Sequence, residues 1–144
     1  MSQNKVVLLL GSNLGNPEAN IDEAVFKIKS DIGRLTLITK KLRTKPVEYE
    51  SNNNFCNIAL ELTTIFSPIE LLKRIKLIEC EMGRVCDSAM LGRYEDRFID
   101  IDIVSFNNIV FVSKRLILPH KKHLHEREFS RELLNILNSE GRNG

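Results

Sequence analysis

The sequence predicts an α+β fold whose strands and helices follow in the order β-α-β-β-α-β. Three observations carry that prediction: an apolar run from Lys5 to Leu10, two helical stretches with capped starts at Asn16 and Ser67, and an alternating run from Ile99 to Ile103. This order is the ferredoxin-like, split β-α-β arrangement, an antiparallel sheet with helices packed on it. A hairpin and a short C-terminal helix complete the expected chain. The arrangement hosts many functions, so function has to be argued from side chains.

The first strand, Lys5 to Leu10, is expected to end where Gly11 to Asn16 breaks the apolar run. Asn16 and Pro17 then form an N-cap and a first helical position. Ile21, Ala24, Val25 and Ile28 mark one helical face up to about Ser30, and Gly33 closes the element. Leu35 to Leu42, rich in Thr, Ile and Leu, reads as the second strand. A polar loop containing Pro46 follows, and Phe55 to Leu62 is the third strand. Ser67-Pro68-Ile69-Glu70 combines a capping serine, a proline at the first helical position and a capping-box glutamate. Leu72, Ile75, Ile78 and Met82 share the face of that helix, which Gly83 ends. Asn107-Asn108 reads as the turn of a hairpin between Ile103–Phe106 and Ile109–Val112. The last helix is expected near Arg131 to Leu137, with a frayed tail from Asn138.

Composition excludes several classes. A chain of 144 residues is expected to form one domain, 1–144, large enough for a core without staples. Its 42% hydrophobic and 28% charged residues are ordinary for a soluble protein, and a net charge of +2 is too small to argue for nucleic acid or a membrane surface. The three cysteines, Cys56, Cys80 and Cys86, are an odd number without metal-type clustering, which predicts reduced thiols and a cytoplasmic protein. The run Val6 to Leu10 is too short to span a bilayer, and no secretory cleavage site follows it.

Candidate chemistry centres on Asp100 and Asp102. Ile99, Ile101 and Ile103 face a core, so both acids fall on the opposite strand face, roughly 6.5–7 Å apart at Cα. Two carboxylates so placed suit Mg²⁺, a hard cation that shares its oxygen ligands with phosphates; a solvated strand face is the competing reading. Phe55 and Asn57 pair an aromatic with an amide on one face, as a flat heterocycle requires, although an ordinary strand end has the same look. Gly11-Ser12-Asn13 lacks the spaced glycines and lysine of a P-loop and reads as a strand-to-helix turn. Arg84, Arg93 and Arg97 lie in a loop poor in apolar residues, where guanidinium groups gather around polyphosphate or are simply solvated. His120, His123 and His125 are close in sequence, but no cysteine or acid completes a zinc site.

Together these motifs resemble the 6-hydroxymethyl-7,8-dihydropterin pyrophosphokinase family. The carriers are Gly11-Ser12-Asn13-Leu14-Gly15, Arg43-Thr44-Lys45-Pro46, Phe55-Cys56-Asn57, Ile78 to Arg84, Arg97-Phe98-Ile99-Asp100-Ile101-Asp102-Ile103, Leu118-Pro119-His120 and Glu126-Arg127-Glu128-Phe129. The resemblance implies an ATP-dependent diphosphokinase of folate biosynthesis, which moves diphosphate to the pterin hydroxymethyl group and releases AMP. It implies that Asp100 and Asp102 hold two Mg²⁺ ions, with Arg84 and Arg97 beside them in catalysis. It implies ATP contacts from Glu79, Arg93, Arg97, Ile103, Arg115, His120 and Arg127. The pterin would lie between Phe55 and Phe129, its edge read by Asn57 and by Thr44, Pro46 and Val47. Residues 84 to 97 are expected to close over ATP as a lid.

The chain departs from the family pattern in places. Cys86 stands where relatives carry a second arginine after Gly83-Arg84, and Arg93 is the expected substitute. His120 and His123 compete for one histidine position, because one extra residue separates His120 from Arg127. Two other readings accompany the enzyme: a pterin- and ATP-binding relative with little turnover, and a ferredoxin-like palm nucleotidyltransferase.

Overall fold

The computed structural model describes residues 3–44, 55–83, 98–120 and 128–143. The expectations for Pro46, Val47, Arg84, Arg93, Arg97, His123 and Arg127, for the lid, and for the side chains of Thr44 and Phe129 lie outside the described residues. The elements are β1 (Asn4–Ser12), α1 (Pro17–Asp31), β2 (Arg34–Ile38), β3 (Leu42–Thr44), β4 (Phe55–Thr64), α2 (Pro68–Glu81), β5 (Asp100–Phe106), β6 (Phe111–Val112), β7 (Ile117–Leu118) and α3 (Glu128–Asn143).

Antiparallel pairing orders the main sheet β2-β4-β1-β5, with β3 also on β4. Both β-α-β units are split by an intervening strand, which is the ferredoxin-like order expected from the sequence. Period-two alternation decides what each face holds. Val6, Leu8 and Leu10, Ile58, Leu60 and Leu62, and Ile101 and Ile103 form one buried cluster with Ile21, Ala24 and Ile28 of α1 and Leu71, Ile75 and Ile78 of α2. Fully burying such a side chain contributes about 1.5–3 kcal/mol, so this layer supplies most of the stability. On the other face Leu9, Ala59 and Val104 meet Leu133, Leu134 and Leu137 of α3. Each of those three strand residues stands two positions along from Gly11, Asn57 or Asp102, so α3 packs immediately beside the polar end of the sheet.

The helix starts match their capping chemistry. Asn16 Oδ1 accepts from Ala19 N at 3.2 Å, and Ser67 Oγ accepts from Glu70 N at 3.3 Å. Four expectations need correction. β1 does not stop at Leu10 but continues through Gly11 and Ser12, which pair with Asn57 and Cys56. The second strand is not continuous. Three residues, Thr39 to Lys41, stand opposite two, Ile58 and Ala59, and the Thr39 hydroxyl accepts from Ala59 N at 3.0 Å in place of a backbone carbonyl.

Asn107 and Asn108 do form a turn, with φ of 51° and 58°. The strand beyond it, however, pairs with β7 rather than with β5. Asn107 instead ties the end of β5 to β1, donating its N–H to Lys5 O at 2.8 Å and accepting from Lys5 N on Oδ1 at 2.6 Å. The hairpin is β6–β7, closed where Ser113 N donates to Leu116 O at 2.9 Å. Finally, α3 runs to Asn143, through the stretch expected to fray.

The cysteines also differ from expectation. Cys56 is a buried free thiol, but Cys80 is disulfide-bonded. An odd count of cysteines does not by itself exclude a disulfide. Burial is the largest influence on Cys56 and pushes its thiol above the usual range, outweighing the lowering by Lys41 and Arg43. Iodoacetamide at neutral pH should therefore leave Cys56 unmodified in the folded protein and label it once denatured. Mass spectrometry checks this; labelling of the native protein would contradict it.

Candidate active site

The site is assembled by cross-strand register. Gly11 stands opposite Asn57 of β4 on one side and Asp100 of β5 on the other. Directly paired residues share a face, and neighbouring strands are about 4.8 Å apart, so Asn57 and Asp100 flank Gly11 about 10 Å from each other. Phe55 and Asp102 extend the row two residues along their strands on the same face. Ile101 and Ile103 point the opposite way, into the layer under α1 and α2. The period-two reading of the acidic strand therefore holds, and Asp100 and Asp102 are both half-buried on one face.

Gly11 was missed as a site residue. A Cβ there would stand 2.7 Å from Asn57 Oδ1 and 3.7 Å from Phe55 Cδ1. The missing side chain is what lets the Asn57 carboxamide, only 6% exposed, lie across the strand. The available signal is a glycine that ends an apolar run, and that position alone reads as turn chemistry until the flanking amide and acidic strands are in place.

The Ser12–Leu14 turn is held by α1, since Asn20 Nδ2 donates to Ser12 Oγ at 3.1 Å and to Leu14 O at 2.8 Å. The Phe98 ring, leading into β5, lies against two glycines in left-handed conformations. A Cβ on Gly15 would reach it at 3.4 Å and one on Gly83 at 3.3 Å. The turn after β1 and the end of α2 thus grip the residue that starts the acidic strand.

The other described residues expected at ATP sit on α2, on β5, and in or just after the β6–β7 hairpin. Glu79 is 1% exposed, and its Oε2 accepts from the backbone N–H of Ile101 at 2.9 Å, so its carboxylate meets β5 rather than open solvent. The Ile103 side chain is 3% exposed in the core, leaving only its backbone for a nucleotide. Arg115 is exposed in the β6–β7 turn. His120 is half-buried and its N–H donates to Val104 O at 2.8 Å, which lays the residue after Pro119 along β5. Among the described residues no group of three His, Cys, Asp or Glu side chains is arranged to hold a metal. Asp100 and Asp102 offer only oxygen donors from one strand face, a donor set that fits a hard divalent cation whose remaining ligands come from phosphate and water.

Residues 7–139 match the model of a family described as 7,8-dihydro-6-hydroxymethylpterin-pyrophosphokinase, HPPK. The chain belongs to that family. It is 34% identical over 127 residues to the Bacillus subtilis 2-amino-4-hydroxy-6-hydroxymethyldihydropteridine pyrophosphokinase, covering 88% of this chain and 73% of that HPPK. The Haemophilus influenzae enzyme of the same name is 32% identical over 124 residues, covering 85% of this chain and 74% of the relative. A folate synthesis bifunctional protein of Arabidopsis thaliana is 36% identical over 125 residues, covering 87% of this chain but 25% of that protein. Among solved structures, a Plasmodium falciparum HPPK-DHPS with pterin and p-hydroxybenzoate superposes with a TM-score of 0.66 at 17% identity, over 92% of this chain and 39% of that one. This last likeness speaks for the fold. HPPK membership removes the palm nucleotidyltransferase reading. No described helix is long and apolar enough to cross a membrane.

Proposed function

We propose that this chain is an active HPPK, a single pyrophosphokinase domain that transfers diphosphate from ATP to 6-hydroxymethyl-7,8-dihydropterin and releases AMP, as a cytoplasmic monomer. The observation that carries the reading is the Asn57–Gly11–Asp100 row, which sets an amide recognition edge about 10 Å from a paired-carboxylate edge on one sheet face. The pterin lies against Phe55 with Phe129 on its other side. Asn57 and the backbone of Thr44, Pro46 and Val47 read its edge. Asp100 and Asp102 would hold two Mg²⁺ ions, which supply neutralisation of the phosphate charge when bound. Arg84, Arg93, Arg97, Arg115, His120 and Arg127 bind and orient the ATP phosphates, with Arg93 standing in for the arginine that Cys86 replaces.

Phosphoryl-type transfer needs positioning and electrostatic stabilisation rather than a protein nucleophile. The pterin hydroxyl oxygen forms the new bond to the β-phosphorus and gives up its proton to water, while the bond from the β-phosphorus to the oxygen bridging to the α-phosphate breaks and that oxygen leaves with AMP. Incubating the protein with ATP, Mg²⁺ and the reduced pterin should yield AMP and pterin diphosphate in equal amounts. Binding of both ligands without AMP would favour a relative that kept the pocket and lost turnover.

A further inference from the structure

We infer that Glu79 is a positioning residue, one that sets the Asp100–Asp102 pair by clamping the backbone between the two acids. This rests on the reading of those acids as the cation-holding pair. β5 is an edge strand, with β1 on one side and no further strand in the described sheet on the other. The N–H of Ile101 belongs to that outer edge, and a backbone donor with no ladder partner needs another acceptor. Glu79 Oε2 provides it at 2.9 Å, from a side chain 1% exposed on the last turn of α2. Glu79 Oε1 lies 3.4 Å from Lys76 Nζ, which balances the buried charge.

The geometry explains why the clamp acts on the acids. Ile101 is the residue between Asp100 and Asp102, and its side chain is anchored in the core. Fixing its N–H fixes the peptide planes that aim both carboxylates. A neutral side chain would fill the same space without carrying a charge out of water, and a buried carboxylate is a poor choice for stability alone. A charge-assisted bond to one amide is short and directional, which is what aiming two ligands requires. His120 N on Val104 O holds the same strand edge further along, but it lies beyond the acids.

The clamp is tested with Glu79→Gln, which keeps an acceptor, and Glu79→Ala, which does not. In the protein without ligands, the Ile101 amide should shift upfield in its nitrogen–proton NMR spectrum and lose at least tenfold in hydrogen-exchange protection in Glu79→Ala, and stay near wild type in Glu79→Gln. In turnover, Glu79→Ala should lose about thirtyfold in kcat with KM for ATP within twofold, and Glu79→Gln should recover most of that loss. An unchanged Ile101 amide in Glu79→Ala overturns the clamp. So does a loss confined to KM for ATP and shared by Glu79→Gln, which would make Glu79 a nucleotide ligand. If Glu79→Ala does not fold, a Glu79→Gln enzyme with a wild-type Ile101 amide and less than a tenth of wild-type kcat overturns it equally. The NMR arm needs no activity, and AMP release by the wild type reports on the proposed function separately.

Discussion

Asp100→Asn and Asp102→Asn should each lower AMP formation at least about a thousandfold while leaving the melting temperature within a few degrees of wild type. The activity loss follows from charge. A cation held against transferring phosphates contributes several kcal/mol of transition-state stabilisation, and about 4 kcal/mol corresponds to a thousandfold in rate. An amide keeps the shape of the carboxylate but not the charge that draws the cation in. The stability argument runs the other way. The two acids share one half-buried strand face two residues apart, and an amide of the same shape replaces either one without opening a void. Neither contributes to the packed layers, whose β5 members are Ile101, Ile103, Val104 and Phe106. Discontinuous kinetics on purified variants, with AMP separated chromatographically, measures the first effect, and calorimetric melting the second. Near-wild-type turnover in either variant would remove the acid pair from the mechanism.

What was legible in advance was whatever local chemistry determines. Asn16 and Ser67 cap helices because their side chains reach an N–H three residues on, and the alternation around Asp100 and Asp102 sorts acids from isoleucines by period alone. The errors lie where a distant partner decides the outcome. Gly11 looks like the end of a strand until Asn57 and Asp100 are known to flank it. Leu35 to Leu42 looks continuous because nothing local reveals that Thr39 will accept Ala59's N–H. Phe111 and Val112 follow a genuine turn, yet Asn107 spends its backbone and side chain on Lys5, which directs the chain to a different strand. The family motif implies an ATP contact for Glu79, and nothing local shows that α2 buries it against the β5 edge.

Gly11→Ala should weaken pterin binding by about ten- to a hundredfold while changing affinity for a non-hydrolysable ATP analogue less than twofold. The added methyl would fall 2.7 Å from Asn57 Oδ1, closer than carbon and oxygen approach without bonding. Asn57 is nearly enclosed and its side chain is short, so relief comes from turning the carboxamide away or shifting β4. Either movement takes donor and acceptor off the edge of the heterocycle, and a buried polar edge left unmatched costs about 1–3 kcal/mol. Stability should change little, because alanine in a strand regains part of the conformational cost that glycine incurs. The acid pair lies across β1 on the side away from Asn57, which is why the nucleotide should be indifferent. Titration calorimetry with each ligand separates the two effects. The decisive measurement is the cycle with Asn57→Ala. If the methyl acts only through that carboxamide, the double variant should bind pterin as weakly as Asn57→Ala alone, with no further loss. Additive losses would instead mean that Gly11 touches the ligand itself.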